Sequence, residues 1–242
     1  MIRYVLIAVA AALMAGCNSG PSPQTAENTV GGANVVANTQ APMAKQTTSL
    51  SLDWGPKGQA GQVAIADVIS YGGPKVTITA PTGWQKIRDD STPTTRQSLY
   101  WHAIQANETG PASWTFSEPV DAQGATILLD NAATDSPVDM TSGNTGNDGK
   151  PTAKSVATTA DADLILIFYA TDFSGSGLAP SMPTNMSSIV NQQTTSHEYW
   201  ILANYQGQNG NTEDAECITA QLFNWVAAQV AIRRGSATAA PQ

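Results

Sequence analysis

A single all-β domain, a jelly-roll-like β-sandwich of mostly antiparallel strands, is the fold class this sequence predicts. Three observations predict it. Apolar and polar residues alternate in short runs, clusters of Gly, Pro and Asn punctuate those runs, and no segment sustains a helical period. In QVAIADVIS, Val63, Ile65 and Asp67 fall on one side, and Ala64, Ala66 and Val68 on the other. KVTITAP places Val76 and Ile78 inward and Thr77 and Thr79 outward. SLYWHAIQ, Ser98 to Gln105, divides the same way. Leu99, Trp101 and Ala103 form the more apolar set and are assigned to the interior, while Tyr100 and His102 face the other way. ASWTFSEP sets Trp114 and Phe116 on one face. ATILLD and DLILIFYATD are continuous apolar runs, as in strands covered on both faces. HEYWILANY adds a further strand. The last segment reads as a strand over Trp225–Ile232, although its Ala, Leu and Gln content and closing Arg-Arg-Gly also suit a helix end. TSGNTGNDGKP, Thr141 to Pro151, reads as a mobile loop.

The ends of the chain read differently. Residues 1–16 pair a basic start at Arg3 with the apolar run YVLIAVAAALMAG, which suits a signal-peptide core and is short for a membrane span. The run closes in LMAGC, which resembles the lipobox of bacterial lipoproteins: an apolar residue, two small ones, then cysteine. The resemblance implies cleavage before Cys17, acylation of its thiol and a lipid bilayer as partner. Asn18 in place of aspartate implies sorting to the outer membrane. Asn18 to Lys45 holds no Phe, Trp or Tyr and, before Lys45, one charged residue, Glu27. Such a segment buries too little apolar area to offset its chain entropy, so residues 17–46 are expected to be a disordered tether. Residues 47–234 are then the sandwich, and 235–242 an unstructured tail.

With Cys17 acylated, Cys217 stands alone, which excludes an internal disulfide and a cysteine-based zinc site. It reads as a small buried apolar residue. The formal charge of −8, from 11 basic and 19 acidic residues, leaves no basic footprint for nucleic acid.

The order QVAIADVIS, VTITAPTGWQKI, LYWHAI, PASWTFS, ATILLDNAATDSPVD, DADLILIFYA, WVAAQVAIRR is similar to a β-sandwich module of phage tail proteins and secreted bacterial surface proteins. The resemblance implies a jelly-roll-like sandwich with a structural or ligand-contacting role, and it carries no catalytic residues.

Catalytic candidates are few. The two histidines, His102 and His197, have no G-x-S-x-G elbow to serve, and HEYW lacks the second histidine of a zinc-binding helix. His197 and Glu198 read as an exposed polar pair on a sheet edge. Glu198, Asp172 and Glu118 are conceivable glycosidase acids, unpaired by any motif. Two oxygen-rich loops suit calcium in chemistry, though without EF-hand spacing. One carries Asp130, Asp135 and Asp139. The other carries Asn209, Asn211, Glu213, Asp214 and Glu216. A structural calcium is the sole cofactor they suggest. For ligand contact, Tyr100, His102 and Tyr199 on an outer face and Trp84 at a strand entrance are the candidates. The expected function is a non-catalytic, lipid-anchored envelope protein that binds a polysaccharide or a surface protein or adds a structural layer. The alternatives are a carboxylate-based polymer hydrolase of the envelope and a phage-related structural or exclusion lipoprotein.

Overall fold

A computed structural model of the chain describes residues 32–54, 58–161, 163–172, 183–184, 186–194, 197–205, 209–218 and 222–235. The signal segment, Cys17 and the tail beyond Gly235 lie outside them. The described residues hold no α-helix; their regular structure is one 3-10 turn at Gly73–Lys75 and fifteen strands. In chain order these are β1 (Asn34–Leu52), β2 (Val63–Ser70), β3 (Ile78–Thr79), β4 (Gln85–Ser91), β5 (Arg96–Ala103), β6 (Ala112–Asp130), β7 (Val138–Asp148), β8 (Thr152–Ala153), β9 (Ala157–Thr158), β10 (Leu164–Thr171), β11 (Ser187–Gln193), β12 (Glu198–Tyr205), β13 (Gly210–Asn211), β14 (Ala215–Glu216) and β15 (Phe223–Ile232).

Two large antiparallel sheets result. The first runs β1-β6-β2-β5-β4, with β3 paired to β6, and the second runs β11-β12-β10-β15-β7. The sandwich read from the sequence is the fold observed. Its chain path is sequential: the first half of the chain builds one sheet and the second half the other.

Between the sheets lies an apolar core. Val63, Ile65, Ile69, Leu99, Ala125, Ile127 and Leu129 of the first sheet meet Leu164, Leu166, Phe168, Tyr199, Ile201, Val230 and Ile232 of the second. Period-two alternation assigns Leu99 and the half-buried Trp101 to this core, as expected. The continuous apolar runs of β6 and β10 are explained by burial on both faces. Each sheet has a second covered side. On the second sheet, Ile165, Ile167, Tyr169, Trp200, Leu202 and Ala227 are covered by Ala153 and Ala215 of the small ribbon β8–β14 and by Val156 and Cys217 beside the ribbon strands.

On the first sheet the cover is its own edge, folded over. Thr47 of β1 still faces Val120 of β6, but Ser49 faces Thr115. This mismatch, near Pro119, breaks the ladder and lets both strands turn. Leu50 and Leu52 of β1, Trp114 and Phe116 of β6, and Ile78 of β3 then pack on Ala64, Ala66, Val68, Tyr100 and Leu128.

Two expectations are corrected by this arrangement. The tether was expected to reach residue 46, yet residues 34–46 are the first two thirds of β1. They pair with β6 from Asn34↔Asp130 to Ala44↔Ala122, with register shifts at Val35/Ala37 and Ala41/Ala44. Val35 packs on the inter-sheet core and, past a bulge, Ala37 and Ala41 pack on the outer cluster.

The second correction is the mobile loop at Thr141–Pro151. Most of it is β7, paired with β15 from Val138↔Ile232 to Asp148↔Phe223. Its glycines are contact glycines. A Cβ on Gly146 would come within 2.3 Å of the Trp225 ring, and one on Gly143 would strike the Arg88 guanidinium. Trp225 is pinned in place, since its Nε1 donates to Asp148 Oδ1 at 2.9 Å. Gly146→Ala is therefore expected to destabilise the domain by about 1–3 kcal/mol, read as a lower urea midpoint. An unchanged midpoint would show that the indole is free to move.

Candidate functional site

Three of the sequence candidates, Trp84, Tyr100 and His102, come together on the outer side of the first sheet. β5 carries Tyr100 and His102 on the same face, and the Gly83 turn delivers Trp84 over them. Gly83 has φ +88°, a conformation that favours glycine, and a Cβ there would lie 3.2 Å from the His102 ring. The Trp84 and His102 rings stack with centroids 5.3 Å apart at 27°. Trp54 lies 6.0 Å from Trp84 and 6.2 Å from His102. Trp114 meets Trp84 edge-on at 4.8 Å and lies 5.9 Å from Tyr100.

The expectation that this face is open to solvent is corrected. Tyr100 is 1 % exposed, His102 7 % and Trp84 9 %, because the folded-over ends of β1 and β6 cover it. Alternation assigned the faces correctly; it carried no information about a further layer above them. Tyr199 is not part of the cluster. It lies in the inter-sheet core, where its hydroxyl donates to Gly124 O at 3.0 Å.

His102 is held from both sides. Its Nδ1 lies 3.0 Å from Gly83 O, and its Nε2 lies 2.8 Å from each Glu108 oxygen. Partial burial works to raise the Glu108 carboxyl. The Gln105 amide and His102 outweigh burial and hold it below the ordinary glutamate range. The imidazole thus joins the turn at Gly83 to the loop at Glu108 across the mouth of the cluster. Sequence reasoning missed Glu108, which stands six residues beyond His102 and outside any strand.

The other acids take separate partners. Asp130 accepts from Gln62 Nε2 at 2.7 Å, and Asp135 accepts from the Ser136 amide at 2.9 Å. Asp139 accepts from Arg233 and from both the amide and the hydroxyl of Thr159. The three expected calcium ligands are therefore not gathered around one point. In the second loop, Asp214 pairs with Lys154 at 2.7 Å and Glu216 with Lys150 at 3.7 Å. Among the described residues, no group of three or more His, Cys, Asp and Glu is arranged to hold a metal ion.

His197 and Glu198 are not an exposed edge pair. β12 lies between β11 and β10, and Glu198 is 4 % exposed. Burial pushes the Glu198 carboxyl up to about 6. Glu198 shares the face of Trp200, away from the first sheet, whereas Asp172 accepts from Asn224 Nδ2 and, toward the first sheet, from Thr94 Oγ1. The two acids do not confront each other. Glu118 stands exposed at the β6 bend. Cys217 is buried as expected, and burial pushes its thiol up to about 12, far from a reactive thiolate.

Two buried acids lay outside the candidate set. Asp67 and Asp163 are both 0 % exposed. Asp67 was legible in part, since it falls on the side of Val63 and Ile65. Compared with known proteins, the chain matches no family model, no curated protein and no solved structure.

Proposed function

We propose that this chain is a non-catalytic, lipid-anchored envelope protein whose β-sandwich binds a polysaccharide or a surface protein or adds a structural layer. The observation that carries the non-catalytic reading is the state of His102: both ring nitrogens are engaged, by Glu108 and Gly83, and among the described residues neither bonds a hydroxyl nucleophile. The separation of Glu198 and Asp172 onto opposite sides of the second sheet weighs in the same direction against a two-carboxylate hydrolase. The anchor rests on LMAGC and Cys17.

The rim of the Trp84 cluster, where Glu108 keeps a side-chain exposure of 29 %, is the contact region we favour. Cys17→Ser is expected to abolish acyl labelling of the protein and to block signal cleavage, leaving the uncleaved precursor on the membrane through its apolar run. A mutant that stays on the membrane and is still cleaved would refute the anchor. Glycan-array screening, paired with partner pull-downs, is expected to return one ligand class. Turnover of a glycan instead would establish the hydrolase.

A further inference from the structure

The inter-sheet core has two unlike ends. At one end Val63, Ile65, Ile127 and Leu129 meet Leu164, Leu166, Val230 and Ile232, and the chain crosses between sheets there, at residues 131–137. The opposite end is polar. Asp67, Gln97 and Gln123 line the inner side of the first sheet at 0 %, 1 % and 0 % exposure. Asp67 Oδ2 accepts from Gln97 Nε2 at 3.0 Å, and Gln123 Nε2 donates to the Tyr71 hydroxyl. Asp67 Oδ1, Gln97 Oε1 and Gln123 Oε1 have no hydrogen-bond partner, and all three are acceptors. A protonated carboxyl brings a donor into this acceptor-rich compartment; a carboxylate adds one more acceptor and a charge.

Among the described residues, three ties cross this end that involve the groups lining it. Tyr199 Oη donates to Gly124 O at 3.0 Å, the Tyr71 and His197 rings meet with centroids 3.5 Å apart, and Thr94 Oγ1 donates to Asp172. We propose that this end of the sandwich is a proton-operated clamp: protonated Asp67 keeps the two sheets together here, and loss of the proton lets this end part while the crossover end stays closed.

Tyr71, Tyr199 and Asp172 stand around the compartment, and a charge on Asp67 works to keep the two tyrosine hydroxyls protonated. Tyr71 follows β2, Tyr199 lies on β12 and Asp172 follows β10. Farther out, His197 sits among Asp121 of β6, Asp172 and Lys45 of β1. Burial pushes the Asp67 carboxyl up to about 8, and the Gln97 amide offsets that only in part. The proton is thus held through neutral pH and released just above it.

The test is amide hydrogen exchange on the full chain at pH 6.5 and pH 9, with rates corrected for intrinsic exchange. Protection at Ile69, Gln123 and Tyr199 is expected to fall at least tenfold at the higher pH, while protection at Val63, Leu129 and Leu164 holds. Asp67→Asn, which has no proton to lose, is expected to keep the polar end protected at both pH values. An equal fall in the variant, or a uniform fall along the strands, would overturn the clamp. Should the variant fail to fold, a carbon-13 titration of the wild-type Asp67 carboxyl decides. A midpoint near 8 that coincides with the loss of protection supports the clamp; a midpoint in the ordinary aspartate range refutes it.

Discussion

Trp114→Ala is expected to cost about 3–5 kcal/mol, among the largest losses any single truncation in this domain will produce. Trp114 is 0 % exposed and sits at the centre of the cluster that joins the folded-over strands to the first sheet. Trp84 closes on it edge-on at 4.8 Å, and Tyr100 flanks it at 5.9 Å. Its Nε1 has no hydrogen-bond partner, so the loss is one of packing and apolar burial. Trp114→Phe keeps part of the volume and should cost clearly less. Urea unfolding of the two variants measures both effects; a loss below about 1 kcal/mol for alanine would mean that the cover collapses into the cavity it leaves.

The second large effect is one of pH. Among the described residues Asp67 and Asp163 are 0 % exposed and Glu198 4 %. Burial pushes them up, to about 8, about 7 and about 6. For Asp163 the neighbouring Asp139 adds to the effect. A carboxyl whose folded pKa lies above its unfolded value contributes its full stability below the unfolded value and loses it as pH rises through the folded one. Stability should therefore decline from about pH 4 toward about pH 8. Asp89 and Asp139 act in the opposite sense. Burial works to raise both. Arg96 and Lys86 outweigh it at Asp89, and Thr159 and Arg233 at Asp139, so each is held at about 2. Their contribution is present above the unfolded value and is lost as pH falls toward 2. The optimum is thus expected on the acid side, at about pH 4–5, below the usual optimum of folded domains.

Asp163 and Asp139 give this profile a sharp test. No donor among the described residues reaches either Asp163 oxygen, yet the carboxyl hydrogen-bonds to Asp139. Two carboxyls in that contact share one proton. Asp163→Asn supplies an amide donor with no proton to lose. Guanidinium midpoints measured from pH 5 to pH 8 should fall less steeply in the variant than in the wild type, and parallel profiles would exclude the shared proton.

The strands that declared themselves in the sequence did so through side chains. β2, β5, β10 and β15 carry Val, Ile, Leu and Trp in patterns that burial alone explains. β1 and β7 are built from Asn, Thr, Gln, Ala and Gly, and their stability comes from backbone ladders to β6 and β15. Composition does not record such a partner, so one strand resembled a tether and the other a loop. Gly143 and Gly146 deepened the misreading, because a glycine that makes room for Arg88 or Trp225 looks in sequence like one that makes a turn.

The candidate site failed to declare itself for a different reason. Tyr100 and His102 were assigned to the correct side of β5, but two-sided alternation describes two faces and no third layer. The cover that buries them comes from distant parts of β1 and β6, brought in by a register mismatch. Glu108 and Asp163 depend on loop geometry that no spacing rule encodes.

The sequential chain path has a consequence for how the molecule is divided. Residues 34–130 build one sheet and residues 138–232 the other, and among the described residues no backbone ladder joins the two. The passage between them, 131–137, is zipped to the residue that follows β15, with the Ala133 amide bonded to Arg233 O and the Arg233 amide to Pro137 O. In engineering terms this is a ready-made split protein. A single cut in that passage leaves two fragments whose main-chain hydrogen bonds are nearly all internal, and whose reassembly depends on how well two apolar faces fit.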